Sequence, residues 1–144
     1  MTRAWARFAR DQVGGVVVEF ALVAPTFLMF IFLILDGGRM IFAKQSLSEV
    51  ATATARCAAL KATGCADASS AKDWAISRGL ARDNVKLLPA NVEVLTGANV
   101  ICNGVANMAK ATISMTWKKG AMTLLPQSVA PSTLTSVACF PIAS

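Results

Sequence analysis

The sequence predicts an α+β protein: a long N-terminal helix, transmembrane at first and then a stalk, packed on a small antiparallel β-sheet head. Three observations carry this. Val16 to Leu35 is an apolar run of twenty residues interrupted only by Glu19, Pro25 and Thr26. Arg39 to Lys61 is alanine-rich and free of proline, and its Met40, Ala43, Leu47, Val50, Ala51, Thr54 and Ala58 fall near one helical face. Finally, Ala109, Ala111, Ile113, Met115 and Trp117 alternate with Lys110, Thr112, Ser114, Thr116 and Lys118, the period of a strand with one buried face.

The elements follow in order. Arg3, Arg7 and Arg10 precede the apolar run. At the helical rise of about 1.5 Å per residue the run covers roughly 30 Å, the thickness of a bilayer's hydrocarbon core. The short basic tail places the N-terminus in the cytoplasm under the positive-inside rule, and everything after the span outside it, although Arg39 and Lys44 weaken the asymmetry. A cleaved secretory signal is the competing account. Against it, the run exceeds a usual h-region, carries an acid near its start, and is followed by Asp36, Gly37, Gly38 and Arg39 without a small-residue cleavage site. Glu19 stands about one turn inside the bilayer, where a carboxylate costs on the order of 2.5–3.5 kcal/mol at mid-depth and less near the boundary. Such a charge implies either a partner or an acid reaching back to the interface.

Beyond the bilayer the helix is expected to continue as a stalk, with a softer joint at Gly37 and Gly38 and a stop at Gly64. Ser70, followed three residues later by Asp73, reads as the N-cap of a short helix running to about Arg82. Val92 to Thr96 and Leu134 to Phe140 are the expected partners of the central strand, separated by Gly, Asn and Pro turns. Trp5, Trp74 and Trp117 read as anchors or core residues, and Phe20, Phe27, Phe30 and Phe32 as side chains facing lipid or a neighbouring helix.

Cys57, Cys65, Cys102 and Cys139 are even in number and all lie on the expected outer side, where oxidation is permitted. No close-set ligand pair and no histidine favour a metal site, so no metal or cofactor is expected. Of the three possible connectivities the preferred one joins Cys57 to Cys65 and Cys102 to Cys139. The first bridge requires the chain to fold back at Gly64, because eight helical residues would hold the cysteines about 12 Å apart.

The missing histidine removes the usual general base and the common triads. Asp36, Glu49, Asp67, Asp73, Asp83 and Glu93 form no recognisable close pair, and no phosphate loop is present. Catalysis therefore has no positive support. The formal charge of +6 is scattered rather than gathered into a stripe, so a nucleic-acid partner is not expected.

The residues around Glu19 give a specific resemblance. Gly14, Gly15, Val16, Val17, Val18, Glu19 and Phe20, preceded by Arg7, Phe8, Arg10 and Asp11, resemble the processing site of the type IV pilin superfamily. There a prepilin peptidase cuts after a glycine and leaves glutamate as the fifth mature residue. The Glu-aromatic pair resembles the Flp subgroup. The stretch from Arg7 to Arg56, with the Phe20 to Pro25 run and the Gly38–Arg39 pair, resembles the N-terminal domain of TadE-like proteins, pseudopilins of tight-adherence pilus systems; Asp36 stands where that family often has glutamate.

The resemblance implies a cytoplasmic leader over 1–14, a transmembrane helix over 15–36, a periplasmic stalk helix over 37–63 and a small α+β head over 64–144, similar to pilin heads. It implies residence in a bacterial inner membrane with possible incorporation in a pilus. Its partners would be membrane lipid, prepilin peptidase, other pilins or pseudopilins meeting Glu19, and a pilus assembly platform. The function it implies is that of a minor pilin-like subunit for a Flp-type pilus. The rival reading is an uncleaved, membrane-anchored periplasmic binding or scaffold protein.

Overall fold

The computed structural model describes residues 13–80, 87–118, 120, 126, 128–129 and 131–142. Helix α1 runs from Val13 to Ala59, and its 47 residues make it about 70 Å long. It passes through Pro25, and through Gly37 and Gly38, without a break. Among the described residues nothing packs within 4 Å of a Cβ built on Gly38, so no close packing seen there explains that glycine.

The helix stops earlier than expected and by a different device. Lys61 takes the left-handed conformation, with φ 48°. Its N–H donates to the Ala58 carbonyl at 3.3 Å, and the Ala62 N–H reaches back to the Cys57 carbonyl at 3.2 Å. These are the two bonds of a Schellman cap, with Lys61 where glycine is usual. Gly64, with φ 88°, then turns the chain back, five residues after the helix ends at Ala59.

Helix α2 spans Ala68–Leu80. Its cap is Asp67 rather than Ser70. The Asp67 Oδ1 accepts the Ser70 N–H at 2.8 Å and the Ser69 hydroxyl at 2.6 Å, while Ser70 Oγ accepts the Asp67 N–H at 3.1 Å. Ser70 thus holds the N3 position of a reciprocal capping box. The expected extension to Arg82 lies outside the described residues.

After a 3-10 turn at Pro89–Asn91 come β1 (Val92–Gly97), β2 (Met108–Thr116) and β3 (Thr133–Pro141). They form one antiparallel sheet in the order β1-β2-β3. Register sets Val94 opposite Ala111 and Ala111 opposite Ala138; one step along, Val92 faces Ile113 and Ile113 faces Ser136. Ala109, Ala111, Ile113 and Met115 are all buried, as the alternation demands.

This inner face packs against the stalk half of α1, which buries Ala43, Leu47, Val50, Ala51, Thr54, Ala55, Ala58 and Ala59. Ala71 and Ala75 of α2 complete the core. The buried set is dominated by alanine, which lets backbones approach closely but removes little apolar area per residue from water. Thr54 is tolerated there because its hydroxyl donates to the Val50 carbonyl at 2.7 Å.

Both disulfides form as preferred, Cys57 with Cys65 and Cys102 with Cys139, at Cα separations of 5.7 and 6.4 Å. Cys102 opens a two-residue hairpin turn in which Asn103 and Gly104 both have positive φ, and Cys102 and Val105 exchange backbone hydrogen bonds of 2.8 and 3.0 Å. Both bridges therefore lie at the end of the head where α1 finishes and β1 passes to β2.

Candidate membrane and assembly segment

Residues from Val16 to Leu35 give α1 an apolar surface on every side, and the head covers none of its most apolar stretch. Phe20 and Leu22 are each 72% exposed, and Phe27, Phe30 and Phe32 are also exposed. Each such side chain gains about 1.5–3 kcal/mol on leaving water. A helix apolar all round needs an apolar surrounding rather than one docking groove. Its length and composition suffice to cross a membrane.

Glu19 is exposed within this surface, and no bond to it is seen among the described residues. It lies on the same helix as the Gly14–Gly15 peptide, which sits in the first turn of α1. No described atom outside the helix comes within 4 Å of a Cβ built on Gly15. Phe20 follows Glu19 on the helix and is also exposed. The structure thus strings Gly15, Glu19 and Phe20 along a helix end that no other described residue covers. The basic residues Arg3, Arg7 and Arg10, and Trp5, lie outside the described residues.

At the other end of the apolar run the head touches the helix. Gly120, in the β2–β3 connection, lies so close to Asp36 that a Cβ built on it would be 2.5 Å from the Asp36 Oδ2 and 2.9 Å from Oδ1. No spacing in the sequence announces this meeting. Trp117, just before it, is half-buried against the core, and its N–H closes the sheet end on the Ser132 carbonyl at 2.7 Å. Trp74 is likewise half-buried, with the Arg78 guanidinium stacked 4.8 Å from its ring centre.

The face of the stalk turned away from the head carries Gln45, Ser48, Thr52, Ala53 and Arg56 and is open to water. The cap of α2 is the most perturbed acid described. Donation from the Ser69 hydroxyl, then from the Ser70 N–H, lowers Asp67 from its ordinary 3.8 to about 2. That effect organises a helix end and is remote from the span. Its signal was present in the sequence, in an acid three residues ahead of a serine, but Ser70 itself looked like the cap.

Residues 14–56 match the profile of a family described as TadE-like protein. The match begins at the glycine before the span and ends in the stalk, within α1 throughout. No curated protein and no solved structure matches the chain.

Proposed function

We propose that this chain, whose residues 14–56 are TadE-like, is a minor pilin-like subunit, a pseudopilin that serves assembly of a Flp-type tight-adherence pilus. The observation that carries the reading is the coincidence of that family match with an exposed apolar run, Val16 to Leu35, whose one carboxylate stands five residues after Gly14. In this reading the chain resides in a bacterial inner membrane, with the N-terminus cytoplasmic and the head periplasmic. Oxidised cysteines in the head accord with that side.

A prepilin peptidase would cut between Gly14 and Gly15, which requires the first turn of α1 to open. Two adjacent glycines make that opening easier, since each disfavours helix by about 1 kcal/mol relative to alanine. The new ammonium on Gly15 and the Glu19 carboxylate of a neighbouring subunit then neutralise each other as helices pack side by side. The protein acts by association, with no turnover. Its partners are lipid, other pilins or pseudopilins, the peptidase and the assembly platform.

Sequencing the N-terminus of protein isolated from membranes tests this directly. Gly15 as first residue is expected. A chain that still starts at Met1 or Thr2, in cells with active prepilin peptidase, overturns processing and favours an uncleaved periplasmic scaffold.

A further inference from the structure

The contact between Asp36 and Gly120 fixes where the head sits relative to the bilayer, given the reading of Val16–Leu35 as a membrane span, on which this inference rests. With Leu35 at the edge of the hydrocarbon core, Asp36 lies about 1.5 Å beyond it and Arg39 about 6 Å beyond. The headgroup layer on each side is about 5–7 Å thick. Gly120 packs on the Asp36 carboxylate and therefore shares its depth. Lys118 is two residues from Gly120, at most about 7 Å of chain, and is exposed. A head built this way keeps its near end within reach of the headgroups.

A second, independent observation agrees. The exposed apolar surface does not end at Leu35 but resumes at Ile41 and Phe42, 67% and 70% exposed, on the first turns of the stalk. Phe42 lies only about 10 Å beyond Leu35 along the axis. Arg39 is exposed on the same turns. Arg39 thus falls within the headgroup layer and Ile41 and Phe42 just past it, a succession of cationic, apolar and aromatic side chains that suits the outer edge of an anionic lipid–water interface.

We propose that the near end of the head is seated on the membrane surface, with Arg39 and Lys118 meeting the phosphates of anionic lipid headgroups and Trp117 lying at headgroup level. The occupant of this surface is lipid, continuous with the lipid around the span. Seating holds the long helix and the head in one orientation to the bilayer.

The test uses the full chain in vesicles of phosphatidylcholine, with and without phosphatidylglycerol, carrying a quencher near the headgroup. One variant, Trp5→Phe with Trp74→Phe, leaves Trp117 as the fluorophore; the other, Trp5→Phe with Trp117→Phe, leaves Trp74. Trp74 neighbours Gly64 at the far end and serves as reference. Both are checked for absence of free thiols, which reports an oxidised head. Trp117 is expected to be quenched strongly and Trp74 weakly, and phosphatidylglycerol is expected to deepen the quenching of Trp117. Arg39→Gln with Lys118→Gln abolishes that gain, each cation shifting the balance between seated and lifted head by about fivefold. Lys61→Gln, at the far end, leaves it unchanged. Equal quenching of the two tryptophans, or indifference to phosphatidylglycerol, overturns the proposal. Carbonate washing separates the two readings: a chain stripped from the vesicles defeats the span itself, whereas a retained chain with unquenched Trp117 defeats only the seating.

Discussion

Glu19 and Asp67 are both exposed carboxylates on α-helical ends, and their surroundings give them opposite consequences. Glu19 lies among side chains that favour lipid, so it burdens insertion; Asp67 lies in water and accepts the donors that a helix start leaves unsatisfied. Replacing Glu19 by alanine is therefore expected to leave the chain inserted and the head oxidised. On the proposed assembly role, co-purification with other pilins should fall, and unchanged partner recovery at equal protein levels would reduce Glu19 to a tolerated interfacial acid. For Asp67 the sign follows from its lowered pKa. The charged form is favoured in the folded state, so its contribution is complete above the ordinary 3.8 and fades as pH falls through about 2. The stability gap between the parent and Asp67→Asn should hold from neutrality to about pH 4 and close between there and pH 2, as read by urea unfolding at each pH.

Among the elements, the end of α1 illustrates how backbone geometry can override the residue best suited to it. Gly64 looked like the stop, yet Lys61 takes the left-handed cap because the Cys57–Cys65 bridge and the 59–67 turn require the helix to finish there. A non-glycine residue in that conformation costs about 1 kcal/mol, so Lys61→Gly should stabilise the fold by a comparable free energy, read as a higher urea midpoint at unchanged slope. The opposite change is informative at Gly120, where φ is 24° and the Asp36 carboxylate fills the space of a side chain. Gly120→Ala should destabilise the β2–β3 connection by about 1 kcal/mol or more, measured as faster amide exchange at Lys118 and Trp117 with the core strands unaffected. The strands themselves were plain in the sequence, since alternation in β2 is strict over nine residues and its partners fell into the register that buries Val92, Val94 and Leu134.

In the whole molecule, one 47-residue helix belongs to two surroundings: its first half exposes apolar side chains all round, and its second half buries an alanine stripe beneath a three-stranded sheet. The core so formed is shallow, because alanine contributes little area. Cross-links at the far end compensate by restricting the unfolded chain. Each disulfide contributes typically about 2–4 kcal/mol, and the longer loop, Cys102–Cys139, closes 37 residues of sequence against eight for Cys57–Cys65. Paired serine replacements should lower the denaturant midpoint in both cases, more for Cys102 and Cys139. Thiol titration of the unreduced, denatured parent should find no free cysteine.

The sequence by itself determined the elements and their burial, because hydrophobic periodicity is a local property: the unbroken run from Val16 to Leu35, the alanine face of the stalk and the alternation from Ala109 to Trp117 each state what surrounds them. It also carried the glycine-to-glutamate spacing that makes the N-terminal segment recognisable. Tertiary structure alone decided which distant residues meet and which residue ends α1. The meeting of Asp36 with Gly120 and the left-handed Lys61 beside the Cys57–Cys65 bridge depend on how the chain closes in space, whereas the Asp67 cap rests on contacts two and three residues apart that the sequence already held. Closure is set by packing and backbone hydrogen bonding across the fold, and no local pattern encodes it.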